Sequence, residues 1–159
     1  MSLPNEFKRA FHFTFKGKEK DGLDLENAKK LGQSLFSSVN AINFSESELK
    51  NIYYQKIWLE HNLNQINNEK VSHKVFDFCC NINPKRGTIL LQRSLNSVCD
   101  ERIIVNGSIS SEEIELINDI DNRGESDILE KLLCHYAANF FELFGKKENA
   151  GHTLRWIFR

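Results

Sequence analysis

Carboxylates crowd one short stretch of this 159-residue chain: Glu19, Asp21, Asp24 and Glu26 all fall within FKGKEKDGLDLE, residues 15–26. Side chains of this type do general acid–base work when burial or a neighbouring charge shifts one of them away from its ordinary protonation. Read only as residues, KGKEKDG is a solvated charged loop, because interleaved charges in loops ordinarily face water. A second centre is Asp77, set between Phe76 and Phe78 in VFDFCCN with Asn81 four residues on. That spacing puts Asp77 and Asn81 on one helix face. A carboxylate in an apolar helix is costly unless it is paired or faces a cleft. Asp77 therefore reads either as a buried group bonded to neighbouring backbone or as one wall of a polar groove. Tyr53, Tyr54 and Trp58 offer flat rings, which fill a core at helical spacing or stack on a ligand.

Other chemistry is poorly supported. Cys79, Cys80, Cys99 and Cys134 show no spacing of a zinc site with one another or with histidine. No metal and no cofactor is implied, and His61, His73, His135 and His152 are scattered. Cys79 and Cys80 sit in an apolar run, so all four thiols are expected to be free. The 21 basic and 22 acidic side chains leave a net charge of −1. That balance makes nucleic acid an unfavoured partner. No stretch approaches the ~18 apolar residues of a membrane span. The start, MSLPNEFKRAFHF, has no basic region followed by an apolar run. The expectation is a chain made soluble in the cytoplasm, whose action outside would need another route of export or release.

The elements that must position these groups are mostly helical. Phe7, Ala10, Phe11 and Thr14 fit a helix face, while Phe11, Phe13 and Phe15 also fit a strand. A polar loop follows, then a second helix from Leu25 carrying Ala28, Leu31, Leu35 and Val39. Ser45 and Glu48 form a capping box, with Phe44 and Leu49 as its hydrophobic staple. That helix carries Ile52, Tyr53 and Trp58. The spacing predicts a fourth helix over about residues 70–82, with Val71, Val75, Phe78, Cys79 and Ile82 inward. Asn83-Pro84 starts the next, carrying Leu90, Leu91 and Leu95. Residues 103–105 form a short extended stretch ending in the Asn106-Gly107 turn signal. Ser110 and Glu113 make a second capping box, with Ile109 and Ile114 as staple. The last long helix spans about residues 126–144, with Leu129, Leu132, Leu133, Tyr136, Phe140 and Leu143 as its buried stripe and Gly145 as its stop. The fold class is mainly α, a compact helical bundle with at most a minimal strand pair.

The ordered set IYYQKIW (52–58), VFDFCCN (75–81), LLQRSL (90–95), NGSIS (106–110) and WIFR (156–159) resembles the lysozyme-like muramidases of glycoside hydrolase family 108. The likeness covers roughly residues 45–159 and, more weakly, the rest. KKLGQS (29–34) is similar to the family's threonine-x-x-glycine-isoleucine-threonine element, with Gly32 on its glycine and Ser34 on its final threonine. The family's Glu-Gly-Gly-Tyr motif is replaced here by KGKEKDG, and the connecting loop is shorter.

The resemblance implies a single muramidase-like domain, with catalytic-type helices in 1–100 and peptidoglycan-binding-type helices in 101–159. It implies hydrolysis of the β-1,4 bond between N-acetylmuramic acid and N-acetylglucosamine in peptidoglycan strands. Glu19 is then the general acid, although a strict count from Phe7 puts Lys18 at that position. Asp21, Asp24 and Glu26 are candidates for the second carboxylate such reactions use. Ser34, Tyr53, Trp58, Asp77 and Asn81 are the candidate substrate-binding residues, while Trp156 and Arg159 anchor the C-terminus to the core. The alternative is a catalytically degenerate relative that binds peptidoglycan, or a secretion or phage partner, without cleavage.

Overall fold

A computed structural model describes residues 2–17, 22–100, 102–144 and 157–158. Glu19, Gly145, Trp156 and Arg159, singled out above, lie outside the described residues. Among the described residues there are seven α-helices: α1 (Asn5–Thr14), α2 (Leu25–Leu35), α3 (Glu46–Tyr53), α4 (Glu69–Asn81), α5 (Pro84–Val98), α6 (Ser111–Asn122) and α7 (Ser126–Phe144). Strand character is confined to one isolated antiparallel bridge between Lys16 and Leu23. No helix of the described residues is long and apolar enough to cross a membrane.

The first element resolves as a helix because Phe7, Ala10, Phe11 and Thr14 are buried together at three- and four-residue intervals. α2 ends earlier than the apolar spacing suggests. Its ladder closes at Phe36, whose N–H bonds the Gly32 carbonyl, and Val39 lies in the turn beyond. Both capping boxes form, with reciprocal bonds between Ser45 and Glu48 and between Ser110 and Glu113. The Asn83 side chain caps α5 ahead of Pro84.

α4 is the central helix. It packs against α1, α2, α5 and α7, so its burial extends beyond the single stripe read from its apolar spacing. Ser72, Lys74, Phe76, Asp77 and Cys80 are enclosed as well as Val71, Val75, Phe78 and Cys79. Burial raises the Cys79 and Cys80 thiols well above their ordinary range. None of the four cysteines is in a disulfide. The crossing of α4 over α5 is close at Gly87, where a Cβ would come within 2.7 Å of the Cys79 sulfur and 2.8 Å of its backbone nitrogen. Only glycine fits there without moving a helix. Lys74 is 2% exposed. Its ammonium donates to the Ile157 carbonyl at 3.0 Å, and the Cys134 thiol donates to the same oxygen at 3.4 Å. The chain near its end is thus fastened between α4 and α7.

Leu143 does not join the buried stripe of α7. It is 76% exposed, while Leu129, Leu133 and Ala137 are enclosed. The buried face follows the part of α7 that lies on α5 and α4.

The extended stretch at 103–105 pairs with side chains in place of a second strand. The Asn96 amide accepts from the Ile103 N–H at 2.6 Å and donates to its carbonyl at 2.9 Å. Gln92, fully enclosed on α5, clamps the turn that follows. Its oxygen accepts from Asn106 N–H at 3.1 Å and Gly107 N–H at 2.8 Å. Its nitrogen donates to the Ser108 carbonyl and the Glu113 carboxylate, each at 3.0 Å. Gly107 holds φ +82°, which disfavours any side chain. Gln92→Leu keeps the volume but strips the turn and the second capping box of their common partner. The expected loss is about 2–4 kcal/mol, read as a fall of roughly 4–16 °C in Tm for a domain of this size. A fall below about 1 °C would mean that the clamp carries no stability.

Candidate functional site

The carboxylate-rich segment springs from a neck whose two legs are well defined. Gly17 N–H donates to the Gly22 carbonyl at 2.8 Å, and Asp24 N–H donates to the Phe15 carbonyl at 2.7 Å. These bonds flank the Lys16–Leu23 bridge and hold the two legs side by side. Residues 18–21, including Glu19 and Asp21, lie between the legs and outside the described residues. Asp24 is committed elsewhere: its carboxylate accepts from Asn27 N–H at 3.0 Å and caps α2. Glu26 is exposed in the first turn of α2.

Behind the neck stands Tyr53. It is 0% exposed. Its ring meets Phe15 of the neck at 5.1 Å, Phe36 at 5.2 Å, Phe11 of α1 at 5.6 Å and Phe76 of α4 at 6.3 Å between centroids. Its hydroxyl donates to the Ala28 carbonyl of α2 at 2.8 Å. Burial drives that hydroxyl's pKa far up, so it stays a donor at every working pH. The reading of Tyr53 as a sugar-stacking ring is therefore corrected. Both its faces are taken by other rings, and it is a positioning residue behind the loop.

Trp58 needs the same correction. It is 2% exposed and packs on Phe76 at 5.7 Å and Phe7 at 5.8 Å. The cause is a change of helix type. After Tyr53 the chain passes into a π-helical segment, Tyr54–Leu59. A wider turn brings residues five apart onto one side, so Tyr53 and Trp58 both point inward. Tyr54 is the ring left half-exposed. It lines a cleft of about 420 Å³ together with Glu6, Trp58, Asn64, Asn67, Glu69 and their neighbours.

Ser34 is exposed in the last turn of α2, at the opposite end of that helix from the neck. Asp77 and Asn81 do share a face of α4, and the Asn81 amide donates to the Asp77 carboxylate at 3.1 Å and to its carbonyl at 3.0 Å. Asp77 is 0% exposed. It belongs to the interior of the bundle, whereas Asn81 is half-buried at the helix end. A groove wall at Asp77 is thus replaced by a buried carboxylate held by its own helix.

A second groove, also of about 420 Å³, runs beside α1 and is lined by Lys8, Arg9, His12, Phe13, Lys16 and His73. Between the two depressions lies an ion pair. Arg9 Nε donates to Glu69 at 3.1 Å, Arg9 Nη2 donates to the other oxygen of that carboxylate, and Glu6 stands 4.0 Å from Nη2. The pairing with Arg9 lowers the Glu69 pKa and raises that of Arg9. Burial lowers the His73 pKa, favouring its neutral form. Among the described residues no three of His, Cys, Asp or Glu are grouped to hold a metal ion. Neither depression was anticipated from sequence. The signal available was the spacing of Lys8, His12 and Lys16, a helical row of bases.

Against this geometry, the fold is that of a mainly α, lysozyme-like bundle. Residues 16–82 match the family model described as Glycosyl hydrolase 108. The matched stretch is less than half of the 159-residue chain, and over it the chain is similar to that family. It begins at the neck and ends at the close of α4, so the likeness noted above for 83–159 lies beyond it. No curated protein matches the chain.

The hub makes a graded prediction. Tyr53→Phe keeps the rings in place and removes one buried hydrogen bond, for a loss of about 1 kcal/mol. Tyr53→Ala removes the ring and should cost about 3–5 kcal/mol. In urea the midpoint should fall in that order. Trypsin cleavage within 16–23 should rise more in the alanine variant than global destabilisation explains. Equal midpoints for the two variants would contradict the hub.

Proposed function

We propose that this protein is a peptidoglycan-directed muramidase-like hydrolase, cleaving the β-1,4 bond between N-acetylmuramic acid and N-acetylglucosamine, with Glu19 as general acid. The observation that carries this reading is the family match, which opens at Lys16 and so includes the loop held by the neck. Glycoside hydrolysis needs a carboxylic acid beside the leaving oxygen. Glu19 is the one glutamate between the two legs of the neck. The rigid legs and the Tyr53 cluster behind them supply the fixed base such a loop requires. The substrate is a peptidoglycan glycan strand, the helices beyond residue 100 act as one unit with the rest, and no cofactor is invoked.

The second reading is a relative that binds peptidoglycan without cutting it. It is favoured by KGKEKDG standing where the resemblance leads one to look for Glu-Gly-Gly-Tyr.

Glu19→Gln separates the two. It preserves shape and removes the titratable proton. General acid catalysis contributes roughly a hundred- to ten-thousand-fold, so clearing of a peptidoglycan suspension should fall by that factor with the fold unchanged. Full activity in the variant would assign the acid to another carboxylate. A wild type that binds peptidoglycan and never clears it would support the binder.

A further inference from the structure

Lys8 and His12 on α1 and Lys16 in the neck beyond it bring cationic or titratable side chains to one groove. Residues four apart on a helix stand about 6 Å from one another, which is the spacing of Lys8 and His12. No ion pair joins Lys8 or Lys16 to a carboxylate among the described residues, the nearest polar partner of Lys8 being the Ser2 hydroxyl at 3.5 Å. The other faces of the groove add no negative charge: His73 of α4 is held towards its neutral form, and Arg9 is already matched by Glu69 and Glu6. The attraction of a helix C-terminus for cations accounts for His12 and Lys16, but not for Lys8 a turn and more further back. In a chain of net charge −1, this groove brings together Lys8 and Lys16, neither paired with a carboxylate of the described residues.

We propose that the groove takes an extended acidic peptide, the stem carried by the glycan strand, with its carboxylates against Lys8, His12 and Lys16. This rests on the peptidoglycan reading above and extends it to the part of the substrate outside the sugar chain. An extended peptide advances about 3.3 Å per residue, so two of its residues cover the spacing of Lys8 and His12. Lys16 belongs to both the groove and the neck, so a strand engaged at the neck would bring its stem to the groove. The Phe13 ring provides an apolar floor for the stem's short side chains.

Sedimentation binding measures the full chain on two polymers: peptidoglycan with intact stems, and the same glycan after an amidase has removed them. Lys8→Ala/Lys16→Ala is compared with the wild type and with Lys131→Ala, an exposed lysine on α7, and circular dichroism checks each fold. Two exposed cations should be worth roughly three- to thirtyfold in affinity. The double variant should lose that factor on stem-bearing material only, and the difference should shrink in high salt. Unchanged affinity for stem-bearing material, or an equal loss on the stripped glycan, would overturn this inference and leave the muramidase reading standing. Failure of the wild type to bind either polymer would remove both.

Discussion

The burial of Tyr53 is the constraint on which the rest of this structure turns. One side chain meets rings from the neck, α1, α4 and the turn after α2, and its hydroxyl is bonded to the α2 backbone. Edge-to-face ring contacts favour definite angles as well as burial. A cluster of this kind therefore fixes orientation, which apolar contact alone does not. The two legs of the neck, residues 15–17 and 22–24, are backed by this packing through Phe15. The π-helical segment after Tyr53 serves the same end, since it turns Trp58 inward to continue the aromatic layer to Phe7 and Phe76.

α4 supplies the other fixed axis. It is packed against α1, α2, α5 and α7, and along its middle Lys74 and Asp77 are enclosed. Charged groups persist in such a place only with partners. Lys74 bonds the Ile157 carbonyl and stands over the Phe13 ring at 5.3 Å, and Asp77 accepts from Asn81. Lys74 thereby ties the chain's far end to the helix at its centre. The polar contacts of Asn68 and Ser126 with Asp121, each at 2.8 Å, add a second tie between α4 and the helices that follow residue 100.

What sequence made legible was local. Capping boxes at Ser45 and Ser110, the asparagine–proline start of α5 and the apolar row of α1 depend on residues a few positions apart, and all of them formed, while the row of α7 formed without Leu143. What it hid was tertiary. Nothing near Leu143 in sequence says that it is exposed. Nothing near Tyr53 announces the switch to π geometry after it, which turns Trp58 inward and leaves Tyr54 half-buried. Asp77 was readable as costly, but only the helices around α4 decide that it is enclosed and not a wall. Gln92 looked like one polar residue among leucines, because its partners lie 14 to 21 residues away.

Function enters through the neck. A mainly α bundle and a family match that starts at Lys16 are what the glycan-hydrolase proposal rests on. The chemistry of the cut end tests this most directly. Purified peptidoglycan is digested with the protein, the newly formed reducing ends are reduced with borohydride, and the soluble fragments are weighed by mass spectrometry. The account predicts fragments ending in reduced N-acetylmuramic acid. Fragments ending in reduced N-acetylglucosamine, or a glycan left whole, would contradict it.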